Sequence, residues 1–257
     1  MSLVAGAGVV VTGGGRGIGR ALASRLAAGG ARVVVNDLDA DAAITVATEI
    51  RGFALPGDAA SEEGVRALIA GARGHLGEID IYCANAGTGA GTGLDTPEDV
   101  WQRAWEVNTM AHVRAARELV PAWLERGQGR YIATASAAGL LTMLGAAPYS
   151  MTKHATVAFA EWLSVTYRHR GISVHCICPQ GVRTAMLEAS GEAGRLLMGD
   201  AAIEPEQVAD ALWDGIAQDR FLILPHPEVR DYYSLRAADT DTWLRGMNKL
   251  ERKIEAL

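Results

Sequence analysis

Cysteine is scarce in this 257-residue chain, which has three, Cys83, Cys176 and Cys178. They make no even disulfide framework and lack zinc-ligand spacing, so no metal site is expected. Cys176 and Cys178 alternate along an apolar run and read as small buried hydrophobes of a reducing compartment, which points to the cytoplasm. Basic clustering is missing too. The net charge is −6 and the Lys and Arg residues are scattered, which argues against a nucleic-acid partner. No run reaches the roughly 18 apolar residues of a spanning helix, so no membrane partner is expected. The apolar stretch from Ser2 to Val11 carries no positive region and runs into a glycine loop, and it reads as a first strand, not a signal sequence. No linker, low-complexity block or internal repeat divides the chain. With 49% hydrophobic residues, residues 1–257 suffice for one large α/β core, and a single domain is expected.

What is present is an alternation of short apolar runs and amphipathic stretches. Val9-Val10-Val11 suits a strand buried on both faces, and Arg20 to Ala28 suits a helix. Strands follow over 31–36, 52–56, 79–84, 129–135, 172–178 and 221–224. Helices are expected over 39–51, 61–77 with Ser61 as N-cap, 97–126, from Tyr149 to about Arg170, and 204–219. Six strand–helix alternations predict a doubly wound, Rossmann-type parallel sheet of about seven strands with helices on both faces. In such sheets ligands bind outside the carboxyl ends of the strands.

The residues at those ends carry chemistry. Thr12-Gly13-Gly14-Gly15-Arg16-Gly17-Ile18-Gly19 joins a strand to a helix. Its glycines let backbone approach a pyrophosphate while the helix N-terminus offers free N–H groups and the positive end of a dipole. Asp37 ends the second strand 18 residues after Gly19, close to the spacing of about 20 at which a carboxylate meets ribose hydroxyls. A carboxylate there repels a 2′-phosphate whereas Arg16 would attract one, so the two residues point to different cofactors; direct contact favours Asp37 and NAD over NADP. Asp58, followed by Ala59, either caps its turn or touches the adenine edge. Asn85-Ala86-Gly87, Ser136 and Pro179-Gln180-Gly181-Val182-Arg183-Thr184 also follow strands. Asn108 is an asparagine inside a helix, which faces solvent or has a specific hydrogen-bonding task. Tyr149 and Lys153 lie four apart on one helical face, where an ammonium beside a phenol favours the phenolate.

Taken together, Thr12-Gly13-x-x-x-Gly17-Ile18-Gly19, Asn85-Ala86-Gly87, Asn108, Ser136 and Tyr149-x-x-x-Lys153 resemble the short-chain dehydrogenase/reductase family in its form of about 250 residues, nearly up to Leu224. The resemblance implies an enzyme interconverting a secondary alcohol and a ketone, with Asn108, Ser136, Tyr149 and Lys153 as a catalytic tetrad. In it Tyr149 exchanges a proton with the substrate oxygen, and Lys153 lowers the Tyr149 pKa and holds the nicotinamide ribose. Ser136 binds the substrate oxygen, and Asn108, its helix locally opened, holds a water behind Lys153. Thr184 matches the threonine at the carboxamide, and Pro179 and Val182 flank it; Asp58 matches the acid at adenine. A homodimer or homotetramer, pairing through the helices over 97–126 and 148–170, is implied as well.

The chain departs from the family at Gln180, where glycine is usual, and at Tyr82-Cys83-Ala84. Gln180 either contacts substrate or points to solvent. Residues 185–203, with Met186, Leu187, Leu196, Leu197 and Met198, read as a lid over an apolar pocket with Leu94, Met143 and Leu144 on its wall. That suits a bulky apolar ketone or alcohol. The tail over 225–257 is too apolar for disorder and is expected to cover its own sheet or a neighbour's pocket. His226, between two prolines, reads as a turn residue. The alternatives are an NADP-linked reductase of the 3-oxoacyl type and a non-catalytic nucleotide-binding protein on the same fold.

Overall fold

Val9, Val10 and Val11 pack alternately into two apolar layers, because successive strand residues face opposite sides. The computed structural model describes residues 3–190, 198 and 201–256. Among them a seven-stranded parallel sheet runs in the order β3-β2-β1-β4-β5-β6-β7. Its strands are β1 (Gly8–Thr12), β2 (Arg32–Asn36), β3 (Phe53–Ala54), β4 (Ile81–Ala84), β5 (Gly129–Thr134), β6 (Ile172–Ile177) and β7 (Leu222–Ile223). All pairings are parallel, with Val10 opposite Val34 on one side and Tyr82 on the other. The strand order reverses between β1 and β4, and that switch point opens a crevice at the carboxyl ends.

Helices cover both faces. On one lie α1 (Gly17–Ala28), α2 (Ala40–Glu49) and α9 (Pro205–Ala217), which contribute Leu22, Val46 and Leu212 to the layer around Val9 and Val11. On the other lie α3 (Glu62–Leu76), α5 (Ala111–Arg126) and α7 (Ala147–Tyr167), which bring Ile69, Trp123 and Leu163 against Tyr82 and Tyr131. Local signals set their ends. Asp39 accepts from the Ala42 N–H at 3.1 Å, Ser61 from the Gly64 N–H at 3.1 Å and Asp239 from the Thr242 N–H at 2.9 Å, N-caps that spare orphan amides. Glu204 and Gln207 form a capping box at α9. Gly127, at φ 70°, ends α5 in the left-handed region that glycine adopts without strain.

The helix expected over 97–126 is interrupted. It runs as α4 (Glu98–Trp105), a π-helical turn over Glu106–Met110, and then α5. The π turn is centred on Asn108. Shorter elements, α6 (Ala138–Leu141) and α8 (Ala185–Glu188), stand at the ends of β5 and β6. The strand expected over 52–56 shrinks to two residues, because Leu55 and Gly57 turn their carbonyls to the Asn36 side chain at the sheet's edge.

The tail forms two helices, α10 (Glu228–Ala238) and α11 (Thr240–Ile254). Arg236 of α10 donates to the Leu140 carbonyl and to His154 Nε2, so the tail docks on its own α6 and α7. The stripe Trp243, Met247, Leu250 and Ile254 on α11 remains partly exposed. No described helix is long and apolar enough to cross a membrane.

Candidate active site

The glycine loop is held rigid before any ligand arrives. Thr12 Oγ1 accepts the Asn85 and Ala86 N–H groups, each at 3.0 Å, and donates to the Cys83 carbonyl. The Asn85 amide donates back to the carbonyls of Thr12 and Gly13 at 3.0 and 3.2 Å. Gly13 sits at φ +60°, and a Cβ there would press on Ala86 at 3.0 Å. A Cβ on Gly19 would lie 2.0 Å from the Gly13 carbonyl oxygen. These are positions where only hydrogen fits. Asp37, 9% exposed, accepts the Gly15 N–H at 2.9 Å and the Asp39 N–H at 3.1 Å. Its carboxylate is thus fixed at the crevice rim above the loop. Arg16 leans the other way at the surface and pairs with Asp39 at 3.1 Å. Ile18 packs beneath the loop against the layer around Val9. Glycine cradle, helix N-terminus and fixed carboxylate together fit a dinucleotide.

Asp58 caps its turn. Its two oxygens accept the N–H groups of Ala60 and Ser61 at 2.8 and 3.1 Å. Partial burial pulls its pKa up, but hydrogen bonds from Ser61 and Ala60 and the charge of Arg103 outweigh it, and the net shift is downward. Ala59 beside it is buried, and Asp58 itself is exposed.

The four residues Asn108, Ser136, Tyr149 and Lys153 come from the π turn, the end of β5 and the first turns of α7, and they converge on the far side of Gly87. Asn108 is fully buried. Its side chain accepts the Thr88 N–H at 2.8 Å and donates to the Thr88 carbonyl at 2.9 Å and to Thr152 Oγ1 at 3.0 Å. Its main-chain carbonyl, freed by the π turn, accepts Thr156 Oγ1 at 2.6 Å. A Cβ on Gly87 would come within 3.3 Å of Asn108 Oδ1 and 3.6 Å of Lys153 Nζ, so both groups reach the crevice beside that glycine. Lys153 is 3% exposed and donates to the Thr134 carbonyl at 2.8 Å, with its ammonium 5.6 Å from the centre of the Tyr149 ring. Ser136 accepts the Ala138 N–H at 3.1 Å and donates to the Pro179 carbonyl at 3.4 Å. Ser150 grips the Met143 N–H at 2.9 Å and so fixes the loop that leads into Tyr149.

Two acidities differ from what spacing suggests. Burial holds the Tyr149 phenol above its ordinary value of 10.0, with Ser136 pulling it down and Cys178 pushing it up. The lowering expected from Lys153, whose ammonium stands 5.6 Å from the ring centre, does not set the direction; desolvation does. Burial also lowers Lys153 from 10.5 to about 8, against the influence of Cys176 and Cys178. Below pH 8 the lysine is charged in both folded and unfolded chains, and the cost of burying it is felt in full. Between about 8 and 10.5 the folded protein sheds the proton first, so the unfolded chain binds more protons and stability rises with pH. Across that window, cofactor-free wild type is expected to gain on Lys153→Met by up to roughly 3 kcal/mol in urea unfolding. A stability difference that stays flat with pH would refute the displaced titration.

The segment over 179–184 closes the site. A Cβ on Gly17 would touch Thr184 Cγ2 at 3.0 Å, so this segment packs directly on the glycine loop. Val182 bridges to Ile203, and His226 bonds the main chain of Gln180 and Gly181. His226, expected as a turn residue between its two prolines, does sit in that turn, and its ring is buried against the segment. Met186 of α8 reaches over the Gly89 loop, where a Cβ on Gly89 would meet it at 3.4 Å. Of the wall residues expected, Met143 and Leu144 are partly buried beside Tyr149, but Leu94 is 98% exposed and stands in solvent. Its glycine-rich loop, Gly91 to Gly93, swings it off the crevice. Leu196 and Leu197 lie outside the described residues. All three cysteines are buried and free. Among the described residues no group of His, Cys, Asp and Glu is placed to hold a metal.

A glycine cradle and a buried Ser–Tyr–Lys–Asn cluster on one edge of a doubly wound sheet define a nicotinamide-dependent oxidoreductase. Comparison with known proteins makes this specific. A family model described as short chain dehydrogenase matches residues 7–194. The 1-deoxy-11-beta-hydroxypentalenate dehydrogenase of Streptomyces exfoliatus is 37% identical over 243 residues, 91% of this chain and 87% of that one. A short chain dehydrogenase/reductase from Burkholderia phymatum, solved in complex with NAD, superposes with a TM-score of 0.84 at 28% identity, covering 94% of this chain and 96% of that one. A 7 alpha-hydroxysteroid dehydrogenase complexed with NADH and 7-oxo glycochenodeoxycholic acid superposes at 0.80 with 27% identity, covering 87% and 94%. The chain belongs to the short-chain dehydrogenase/reductase family and is an NAD(P)-dependent alcohol dehydrogenase or ketone reductase.

Proposed function

We propose that this enzyme interconverts a secondary alcohol and a ketone on a bulky apolar substrate with NAD as cofactor. The observation that carries the reading is the convergence of Ser136, Tyr149, Lys153 and Asn108 on the crevice edge where Thr184 packs on Gly17. The bound nicotinamide supplies the hydride acceptor or donor. Gly13 to Gly19, Asn85 to Gly87 and Pro179 to Thr184 hold the dinucleotide, with Asp58 and Ala59 at its adenine end. The remaining chemistry belongs to the chain. Ser136 donates a hydrogen bond to the substrate oxygen and stabilises charge as it develops there. Tyr149 gives that oxygen a proton in reduction and takes one in oxidation. Lys153 holds the nicotinamide ribose and presents positive charge near the phenol, and Asn108 fixes the Thr88 turn and the start of α7 behind it.

Substrate size is supported by the open end of the crevice. Met186 reaches over the Gly89 loop and, with Leu187, Met143 and Leu144, supplies the apolar wall of this reading; part of the lid expected over 185–203 lies outside the described residues. The names of the relatives, a 1-deoxy-11-beta-hydroxypentalenate dehydrogenase and a 7 alpha-hydroxysteroid dehydrogenase, accord with a large alicyclic alcohol. Residues 1–257 form one catalytic domain. Exposed Met151, Trp162 and Val165 on α7, at 59%, 54% and 83%, support a homodimer or homotetramer that covers this helix. Three buried free thiols support a cytoplasmic home. The test is NADH formation from a panel of hydrophobic secondary alcohols; a folded protein that binds NADH and oxidises none of them would overturn the reading.

Cofactor choice rests on Asp37. Its fixed carboxylate accepts hydrogen bonds from ribose hydroxyls and repels a 2′-phosphate at the same place. Wild type is expected to bind NADH at least about tenfold tighter than NADPH, and Asp37→Ala to erase most of that ratio by weakening NADH. Binding titrations with both nucleotides check it; a clear NADPH preference in wild type would sink the role given to Asp37.

A further inference from the structure

Past β7 the chain turns through Pro225-His226-Pro227, and the imidazole between the two rings is 2% exposed. Nδ1 accepts the Gln180 N–H at 3.1 Å, and Nε2 lies 3.0 Å from the Gly181 carbonyl oxygen. A neutral ring can serve both contacts in one way: Nε2 carries the hydrogen and donates, while Nδ1 accepts. The two partners are consecutive residues of the 179–184 segment, which has no ladder of its own beyond the single bridge at Val182.

Contacts to three other parts of the fold radiate from the pinned residues and their neighbours. The Pro179 carbonyl, one residue before, takes Ser136 Oγ at 3.4 Å and the Ala137 N–H at 2.8 Å. The Gly181 carbonyl also accepts the Ile203 N–H at 3.1 Å, and the Arg183 N–H donates to the Ile203 carbonyl at 2.9 Å, tying Ile203 to this segment. Thr184, three residues after Gly181, rests on Gly17 of the glycine loop. One side chain, 46 positions away in sequence from Gln180, thus holds the point from which the Ser136 hydroxyl, the Ile203 contact and the glycine-loop contact are all set.

We propose that His226 is a positioning residue for catalysis: by clamping the main chain of Gln180 and Gly181 it sets where Ser136 and Thr184 meet substrate and nicotinamide, touching neither itself. The assignment rests on the dehydrogenase reading above. A histidine that merely filled space would be replaceable by any side chain of similar volume. A clamp needs an acceptor and a donor at set separation, which glutamine offers and leucine does not.

Three proteins decide it: wild type, His226→Leu and His226→Gln, each measured for melting temperature without cofactor, for NADH Kd by fluorescence quenching, and for kcat and KM. His226→Leu is expected to weaken NADH binding and to lower kcat about tenfold each, since a misplacement of order 1 Å at reacting groups costs that much or more. His226→Gln is expected to return both values to within about threefold of wild type, because its amide restores an acceptor and a donor. A folded His226→Leu with wild-type Kd and kcat overturns the proposal, and so does a His226→Gln no better than the leucine variant. Should His226→Leu fail to fold, His226→Asn takes its place, and equal values for the asparagine and glutamine variants overturn the clamp. Absence of turnover in wild type on any alcohol would instead strike the dehydrogenase reading, while the Kd series would still decide the role of His226.

Discussion

Tyr149→Phe is expected to lower kcat by about a thousandfold on any alcohol that the wild type oxidises, with NADH Kd changed by less than about twofold, since positioned acid–base groups contribute factors of 10² to 10⁴. The substitution removes one oxygen and leaves the ring, so packing is preserved. Retention of wild-type rate by the variant would show that the proton goes elsewhere. The raised phenol pKa adds a directional expectation. Burial keeps Tyr149 protonated at neutral pH, which readies it to give a proton to a ketone. Oxidation needs the phenolate, so the oxidation rate should climb through the alkaline range while reduction declines there. Substrate and nicotinamide change the surroundings of the phenol, and the pH at which oxidation levels off measures how far they bring it down.

Gly19→Ala is expected to raise the NADH Kd by roughly a hundredfold, or about 2.7 kcal/mol, and to lower the melting temperature. Its added methyl would sit 2.0 Å from the Gly13 carbonyl oxygen and 2.6 Å from Asn85 Nδ2. Both belong to the cradle, and neither is the loose end of a flexible side chain that can step aside. The Asn85 amide, which holds the carbonyls of Thr12 and Gly13, would be pushed off them. Gly74→Ala is the matched control. It lies in α3 with nothing within 4 Å of the added atom, so it should bind NADH as wild type does and be slightly more stable through helix propensity. Equal Kd values for the two variants would mean that the cradle yields more easily than its contacts suggest.

Much of this fold was legible because its signals are local. β-Branched runs, glycines at strand ends and caps such as Ser61 each act over a few residues, and their repetition along the chain dictates a parallel sheet with one functional edge. The gathering of Asn108, Ser136, Tyr149 and Lys153 was legible for a different reason: they match a family pattern, and spacing alone would have left Tyr149 and Lys153 an accidental pair. What could not be read is what depends on long-range burial. The direction of the Tyr149 shift follows from how deeply the ring sits, which no spacing reports. The opened helix at Asn108 was implied by the family resemblance and not by spacing; its partners, Thr88, Thr152 and Thr156, bond different polar atoms of that residue. Asp58 offered two roles; the cap is visible in its bonds to the Ala60 and Ser61 N–H groups, and these bonds leave the adenine role open. Leu94 was misjudged because its apolar character says nothing about the loop that carries it outward. His226 carries no motif, and its partners become neighbours only when β6 and β7 pair.

The clamp and the Arg236 contact with Leu140 both come from residues beyond β7, that is, from the part of this chain that leaves the ribosome after the strands and the tetrad. During synthesis the sheet can assemble and the glycine loop can take shape while the segment over 179–184 still lacks its anchor. A nascent or prematurely terminated chain would therefore resemble the enzyme in secondary structure yet hold its serine and threonine loosely. Activity would arrive as a late event of maturation, separated in time from the collapse of the core.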